Sequence, residues 1–200
     1  MKAKDIDLFF ASLSKKWPRR AKIRLLGGAG SLLMGGARPT LDIDFEVIFT
    51  RDLAEKDKQG FQAAVEKTKQ ETGIAAQFSE DIDRWSQISL LDYRRHASLY
   101  ERFRNIWVYI LNPEYWSIGK ITRYWDQDIQ DMFAVFKRMK TNPVSLLEVW
   151  AAAISKSPVS SQLLFVKRHI RHFFVTFGKE IWGKGYPRKE ILSRIAKISR

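Results

Sequence analysis

Arg24-Leu25-Leu26-Gly27-Gly28-Ala29-Gly30-Ser31-Leu32-Leu33-Met34-Gly35-Gly36-Ala37-Arg38-Pro39-Thr40-Leu41-Asp42-Ile43-Asp44-Phe45-Glu46-Val47-Ile48-Phe49 is the stretch on which the reading of the chain turns. From Leu41 onward apolar and polar residues alternate. Leu41, Ile43, Phe45, Val47 and Phe49 share one face of a strand, and Asp42, Asp44, Glu46 and Ile48 share the other, because side chains on a strand repeat every two residues. Aspartate is a poor strand former, so two of them on one face need a compensating gain. Same-face neighbours have Cα atoms roughly 6.5 Å apart, close enough for both carboxylates to converge on one hard cation. Mg²⁺ takes one or two carboxylates plus substrate phosphates, and two such ions can clamp the attacking and leaving oxygens of a phosphoryl transfer. A solvated acidic face on a half-buried strand gives the same alternation, and Asp-x-Asp alone does not separate the two.

The residues ahead of that strand shift the balance. Lys22-Ile23-Arg24-Leu25-Leu26 is a short apolar run that ends in Gly27-Gly28, and Ala29 to Met34 suits a short helix. Glycine tolerates φ > 0 and lets backbone approach a ligand closely. A helix N-terminus offers unpaired N–H groups and the positive end of a dipole to a phosphate, and Ser31 adds a hydroxyl. An ordinary turn with small residues for close packing is the plainer alternative. The run is not a Walker A loop, since no Gly-Lys-Ser/Thr follows, and it lacks the dinucleotide-binding spacing.

Taken together, Gly27-Gly28, Ser31, Arg38, Thr40, Asp42 and Asp44 resemble the first motif of the DNA polymerase β-like nucleotidyltransferase superfamily. The Arg-x-Thr-x-Asp-Ile-Asp form is most similar to the minimal branch that contains the AbiEii abortive-infection toxin. The resemblance implies an α/β (α+β) fold with a mixed sheet flanked by helices. It implies transfer of a nucleotidyl group from an NTP to a hydroxyl, with Asp42 and Asp44 binding one or two Mg²⁺ ions and Gly27, Gly28 and Ser31 meeting the triphosphate. It also implies a third carboxylate on a nearby strand. Asp92, at the end of a presumed strand Gln87–Asp92, is the first candidate and Glu114 the fallback, although a strand-terminal Asp is commonly a turn residue.

Composition bounds the rest. Two hundred residues with 45% hydrophobic content suit one domain or a domain with an appendage. The chain has no cysteine, which excludes disulfides and thiolate metal sites, and three histidines give little support for zinc. It has no run of 18 apolar residues, so no membrane partner is expected, and a cytoplasmic protein is the default reading. The net charge is +13 and uneven: residues 141–200 carry 11 Lys/Arg against 3 Asp/Glu. Such an excess points to nucleic acid or another anionic surface, or simply to a basic soluble protein.

Further along, the periodicity predicts a helix over Lys4–Leu13, a helix from Leu53 to Thr72 capped by Asp52 and stopped by Gly73, and strands over Ile74–Phe78 and Ile106–Leu111. Tyr93 to Arg104 is basic and aromatic, which suits a single-stranded or tRNA-like partner, or a surface helix. Pro113 opens a predicted single helix to Lys140. Its apolar stripe is Ile118, Ile121, Trp125, Ile129, Met132, Phe136 and Met139, and its polar face carries Lys120, Arg123, Tyr124, Gln127, Asp128 and Asp131. Local ion pairs account for such a face. Lys120-x-x-Arg123 with Asp128-x-x-Asp131 also resembles a second block of AbiEii-like proteins, which assigns nucleotide binding to Lys120 and Asp128. After Asn142-Pro143, helices are expected over Val144–Ile154, over Val159–Phe177 and from Pro187, with Gly178, Gly183 and Gly185 loosening the chain.

The expected organisation is a nucleotidyltransferase-like domain over residues 1–140 and a basic helical C-terminal extension over 141–200. The resemblance suggests the toxin of a toxin–antitoxin or phage-defence module, with an NTP, tRNA or another RNA acceptor, or a protein acceptor, and a cognate antitoxin as partners. A catalytically degenerate member that binds RNA or a partner protein is the second expectation.

Overall fold

The computed structural model describes residues 1–36, 38–49, 55–82 and 88–198. It is a mixed α/β structure with a five-stranded sheet flanked by helices and a helical C-terminal part. The contacts divide the chain into two units: Met1–Leu33, Arg38–Ile82 and Ala97–Leu111 form the first, and Met34–Ala37, Asp83–His96 and Asn112–Arg200 the second. Residues 112–140, expected with the N-terminal domain, thus cluster with the C-terminal helices.

The first unit opens with α1 (Ala3–Lys16), β1 (Ala21–Leu25), α2 (Gly27–Leu33) and β2 (Asp42–Phe49). It continues with α3 (Glu55–Thr72), β3 (Ala75–Ser79), β4 (Ala97–Phe103) and β5 (Ile106–Leu111). The strand order is β3-β2-β1-β5-β4, with β1 antiparallel to β2 and parallel to β5. The expected Asp52 cap and the start of its helix lie outside the described residues. Tyr93 to Arg104 is not a surface helix but a 3-10 turn leading into β4, an edge strand antiparallel to β5.

The alternation read in β2 is the one the fold uses. Ile43, Phe45 and Val47 are each at most 1% exposed and join Ile23, Leu25 and Val108 in one core. That core is closed by Ile6, Phe9, Phe10 and Leu13 of α1 and by Phe61, Ala64 and Val65 of α3. The Phe45 ring lies edge-on to Phe10 at 5.6 Å and stacks on Phe78 at 5.7 Å. Burial of this kind, at about 25 cal/mol per Å² of apolar surface, fixes the register, since a one-residue slip would turn every one of these side chains outward. Asp42, Asp44 and Glu46 therefore occupy the other sheet face, together with Arg24 opposite Glu46.

The second unit holds α4 (Pro113–Arg123), α5 (Asp126–Met139), α6 (Pro143–Lys156), α7 (Ser161–Trp182) and α8 (Arg188–Ile198). Asn142 caps α6 by accepting from the Val144 and Ser145 amides at 2.8 and 3.2 Å. Trp150, Phe136, Phe173 and Phe174 form the aromatic centre, and the Trp150 indole donates to Ser117 Oγ at 3.0 Å.

Three expectations fail here. The single helix over 113–140 is two helices, because Tyr124 takes the left-handed conformation (φ 58°, ψ 37°) and Trp125 restarts the chain as the cap of α5. The new phase leaves Trp125 65% exposed, although the periodicity placed it inward, and buries Asp128 and Asp131; Lys120, on α4 ahead of the break, is buried as well. Gly178 does not loosen the chain: it lies inside α7, where a Cβ would collide with the Tyr186 ring. The described part of Gln87–Asp92 is not a strand but an irregular segment, with the Ser89 amide donating to Ser157 Oγ at 2.8 Å. Gln87 itself lies outside the described residues.

Candidate functional site

In the first unit, β1 runs into α2 through Gly27, whose φ of +50° favours glycine. The Leu26 amide donates to the Asp44 carbonyl at 2.9 Å, which locks the bend to β2. A Cβ on Gly27 would fall 2.5 Å from Asp44 Oδ2, so the carboxylate of Asp44 lies directly against the glycine backbone. A Cβ on Gly28 would fall 2.5 Å from Thr40 Oγ1, and that hydroxyl donates to the Asp42 carbonyl at 3.0 Å. Both glycines thus answer a packing demand made by the residues that introduce the acidic strand. Asp42 and Asp44 are half-buried on one face of β2, and the Asp44 carboxylate meets the bend.

Glu46, the next acid on that face, has 0% exposure, and Arg24 NH1 lies 3.3 Å from its Oε2. Antiparallel pairing of Arg24 with Glu46 puts them side by side. This ion pair was legible as an acid and a base on the polar sides of neighbouring strands, yet the pairing of those strands could not be read from composition. Ser31 is fully buried with a hydroxyl that finds no partner, so it is not presented to solvent at the bend.

Asp42 and Asp44 supply only oxygen donors, which suits a hard cation such as Mg²⁺. Among the described residues no group of three or more His, Asp or Glu side chains is arranged to hold a metal ion. The pair fits Mg²⁺ only where substrate oxygens complete the shell. Asp92, expected as the third carboxylate, is not on a strand. It precedes the 3-10 turn at Tyr93–Arg95, has an exposed side chain, and accepts from Arg95 Nε at 3.0 Å.

The second unit collects the other charge motif. Lys120 Nζ lies 2.9 Å from Asp128 Oδ1 and 2.7 Å from Asp131 Oδ2, with all three residues at most 4% exposed. Arg123 grips Asp128 with two bonds, NH2 to Oδ1 at 2.8 Å and Nε to Oδ2 at 3.2 Å. Burial pushes the Asp128 carboxyl up, but the Arg123 hydrogen bonds and the Lys120 charge outweigh it and hold the group below the ordinary aspartate value. Two of the three ammonium donors of Lys120 are therefore engaged within the fold, as a clamp between α4 and α5. This arrangement does not present Lys120 and Asp128 to a triphosphate.

Next to the clamp, Tyr124 stacks on His169 at 4.5 Å, and its hydroxyl meets His172 Nδ1 at 2.7 Å. His169 Nδ1 faces the Ile121 carbonyl at 3.0 Å, and burial pushes its imidazole below the usual histidine value. The two histidines are structural partners of the helix break, a role that no residue spacing signalled. Among the described residues, no helix is long and apolar enough to cross a membrane. Comparison of the chain with protein-family models, with curated proteins and with solved structures finds no match.

Proposed function

We propose that this protein is a Mg²⁺-dependent nucleotidyltransferase acting through Asp42 and Asp44. The observation that carries the reading is the Asp44 carboxylate lying against Gly27, on the same strand face as Asp42. A divalent ion held by the two acids would offset the charge repulsion that otherwise keeps a triphosphate away from them. In the reaction, the acceptor hydroxyl oxygen bonds to the α-phosphorus, the bond from that phosphorus to the β-phosphate bridging oxygen breaks, and pyrophosphate leaves. The hydroxyl proton passes to solvent or to a base. The bound ion supplies electrostatic stabilisation of the charge that develops on the phosphoryl oxygens. Asp42 and Asp44 would hold that ion and orient the nucleotide, and Thr40 and Gly28 keep the acidic strand against the bend. The toxin role, with an RNA or protein acceptor and an antitoxin partner, rests on the resemblance of the motif alone.

A second reading, a binding module without catalysis, is favoured by the clamped Lys120 and by the exposed position of Asp92. Thermal melts with each NTP, with Mg²⁺ or with EDTA, separate the two. Catalysis requires Mg²⁺-dependent stabilisation by at least one NTP that Asp42→Ala/Asp44→Ala abolishes. It also requires transfer of α-³²P label to a discrete RNA or protein species, absent with Asp44→Asn. Melting temperatures unmoved by every NTP overturn the enzymatic reading.

A further inference from the structure

We propose that the break between α4 and α5, together with the adjoining face of α7, is a docking surface for single-stranded nucleic acid, with Trp125 as the ring on which a base stacks. The placement of Trp125 is the first observation. It is 65% exposed at a sharp helix junction, and the residue before it, Tyr124, sits in the left-handed region. That conformation is common at helix C-termini, but glycine is its usual occupant and a tyrosine there is strained. The strain is held by tertiary contacts: the Tyr124 ring stacks on His169 and its hydroxyl meets His172. The fold therefore holds a strained backbone whose consequence is a large apolar ring presented to solvent.

The second observation is how cations sit on the exposed rings. The Arg123 guanidinium lies 5.5 Å from the Trp125 ring centre, and that of Arg168 lies 5.9 Å from the centre of Phe165, itself 50% exposed. Phe165, Arg168, His169 and His172 recur at three- and four-residue spacing and so share one face of α7, the face on which Tyr124 stacks. Aromatic rings paired with guanidinium groups suit a flexible polyanion with unpaired bases: stacking is indifferent to base identity, and Arg168, exposed on α7, meets the phosphates, while Arg123 stays bound to Asp128.

The third observation is charge. Between Val149 and Lys179 the chain carries no Asp or Glu, while Lys156, Lys167, Arg168, Arg171 and Lys179 are basic. Asp126, exposed beside Trp125, is an adverse charge at the rim, and Asp128 is buried and already neutralised. A duplex cannot offer its base faces to a ring, so the surface selects single strands. The inference needs neither Asp42 nor Asp44 and stands or falls apart from the proposed reaction.

The test is fluorescence anisotropy of the full chain with labelled oligo(U) and oligo(dT) 12-mers, a duplex of the same length, and polyglutamate as competitor. Single strands should bind with a strong salt dependence and the duplex several-fold more weakly. Trp125→Ala should weaken single-strand binding on the order of 10- to 100-fold, the loss expected for one stacked base. Trp125→Phe should recover most of that loss, and Arg168→Ala should both weaken binding and lower the salt slope. Because Trp125 and Arg168 are exposed, their variants should melt like the parent, and Asp42→Ala/Asp44→Ala should bind like the parent. Binding that survives Trp125→Ala unchanged, equal affinity for duplex, or equal displacement by polyglutamate would each overturn the proposal in favour of charge alone. No binding of any strand at low salt would overturn it outright.

Discussion

Replacing Lys120 by Met tests whether the second charge motif is a clamp. The ammonium lies 2.7 Å from Asp131 and 2.9 Å from Asp128 in a site where all three residues are at most 4% exposed. Methionine keeps the volume of the stem and removes the charge. Losing one member of a buried ion network costs about 3–5 kcal/mol, because the remaining charges lose compensation without regaining water. Asp128 keeps its two bonds from Arg123, which puts the expected cost at the lower end, ~3 kcal/mol. For a chain of this size that is a fall in Tm of roughly 6–12 °C. Urea denaturation gives the magnitude, and amide exchange over residues 113–139 locates it in α4 and α5. Lys120→Met/Asp131→Leu should regain part of the loss, since an apolar pair can replace a buried ionic one. The pH dependence has a definite sign. The folded Asp128 carboxyl is held below its ordinary value, so its contribution is complete above the unfolded value of about 3.9 and disappears as pH falls through the lower, folded one. The gap between parent and variant should therefore narrow below about pH 4. A Lys120→Met protein that loses less than about 1 kcal/mol, yet no longer responds to Mg²⁺ and NTP, would refute the clamp and return Lys120 to the triphosphate.

Gly27→Ala must both adopt a strained left-handed backbone and displace the Asp44 carboxylate 2.5 Å away. Stability should fall by about 1–2 kcal/mol, and Mg²⁺-dependent stabilisation by NTP should vanish in the same melts. Gly178→Ala gains about 1 kcal/mol of helix propensity but runs into the Tyr186 ring, which donates from its hydroxyl to the Phe174 carbonyl at 2.9 Å and stacks on Trp182. A net loss of ~1–3 kcal/mol in urea titration is expected, relieved by Tyr186→Ala. Asn142→Ala removes two bonds from the start of α6 and should cost about 1 kcal/mol by the same measurement.

What the sequence disclosed follows from where the deciding interactions lie. The acidic strand, the glycine bend and the helices around them rest on period-two and period-three-to-four patterns and on glycine chemistry, all local. The break at Tyr124 has no local sign: no Gly or Pro interrupts the apolar period there, and the left-handed turn is held by His169 and His172, 45 or more positions away. A single helix through that break has the wrong phase beyond it, with Trp125 inward and Asp128 and Asp131 outward, whereas Lys120 lies ahead of the break and is buried by its ion pairs with the acids of α5. Gly178 carries no local sign of its role, because glycine permits both a loose chain and a close approach, and only the Tyr186 ring distinguishes them. Ile88-Ser89-Leu90 is apolar enough for a strand, but it is irregular, and its Ser89 amide bonds to the Ser157 hydroxyl. The aspartate that ends it was consequently given a role its surface turn does not support.

Residue type and spacing put two acidic pairs on single faces, Asp42 and Asp44 on a strand and Asp128 and Asp131 on a helix, and the fold treats them differently. The helical pair faces two bases, Lys120 and Arg123, which balance its charge within the fold and allow near-complete burial. Glu46 is treated in the same way by Arg24 and has no exposure. Asp42 and Asp44 are half-buried on the polar face of β2, with the Asp44 carboxylate packed against Gly27. Burial with a base marks an acid that serves the fold, because leaving such a group unpaired is costly. Partial exposure marks one that can meet a cation. Neutralisation should then divide the four aspartates. Asp128→Asn and Asp131→Asn should lower the urea midpoint and leave the Mg²⁺–NTP shift of the remaining folded protein intact. Asp42→Asn and Asp44→Asn should abolish that shift with little effect on the midpoint, and the opposite division would show that the fold uses its two acidic pairs the other way round.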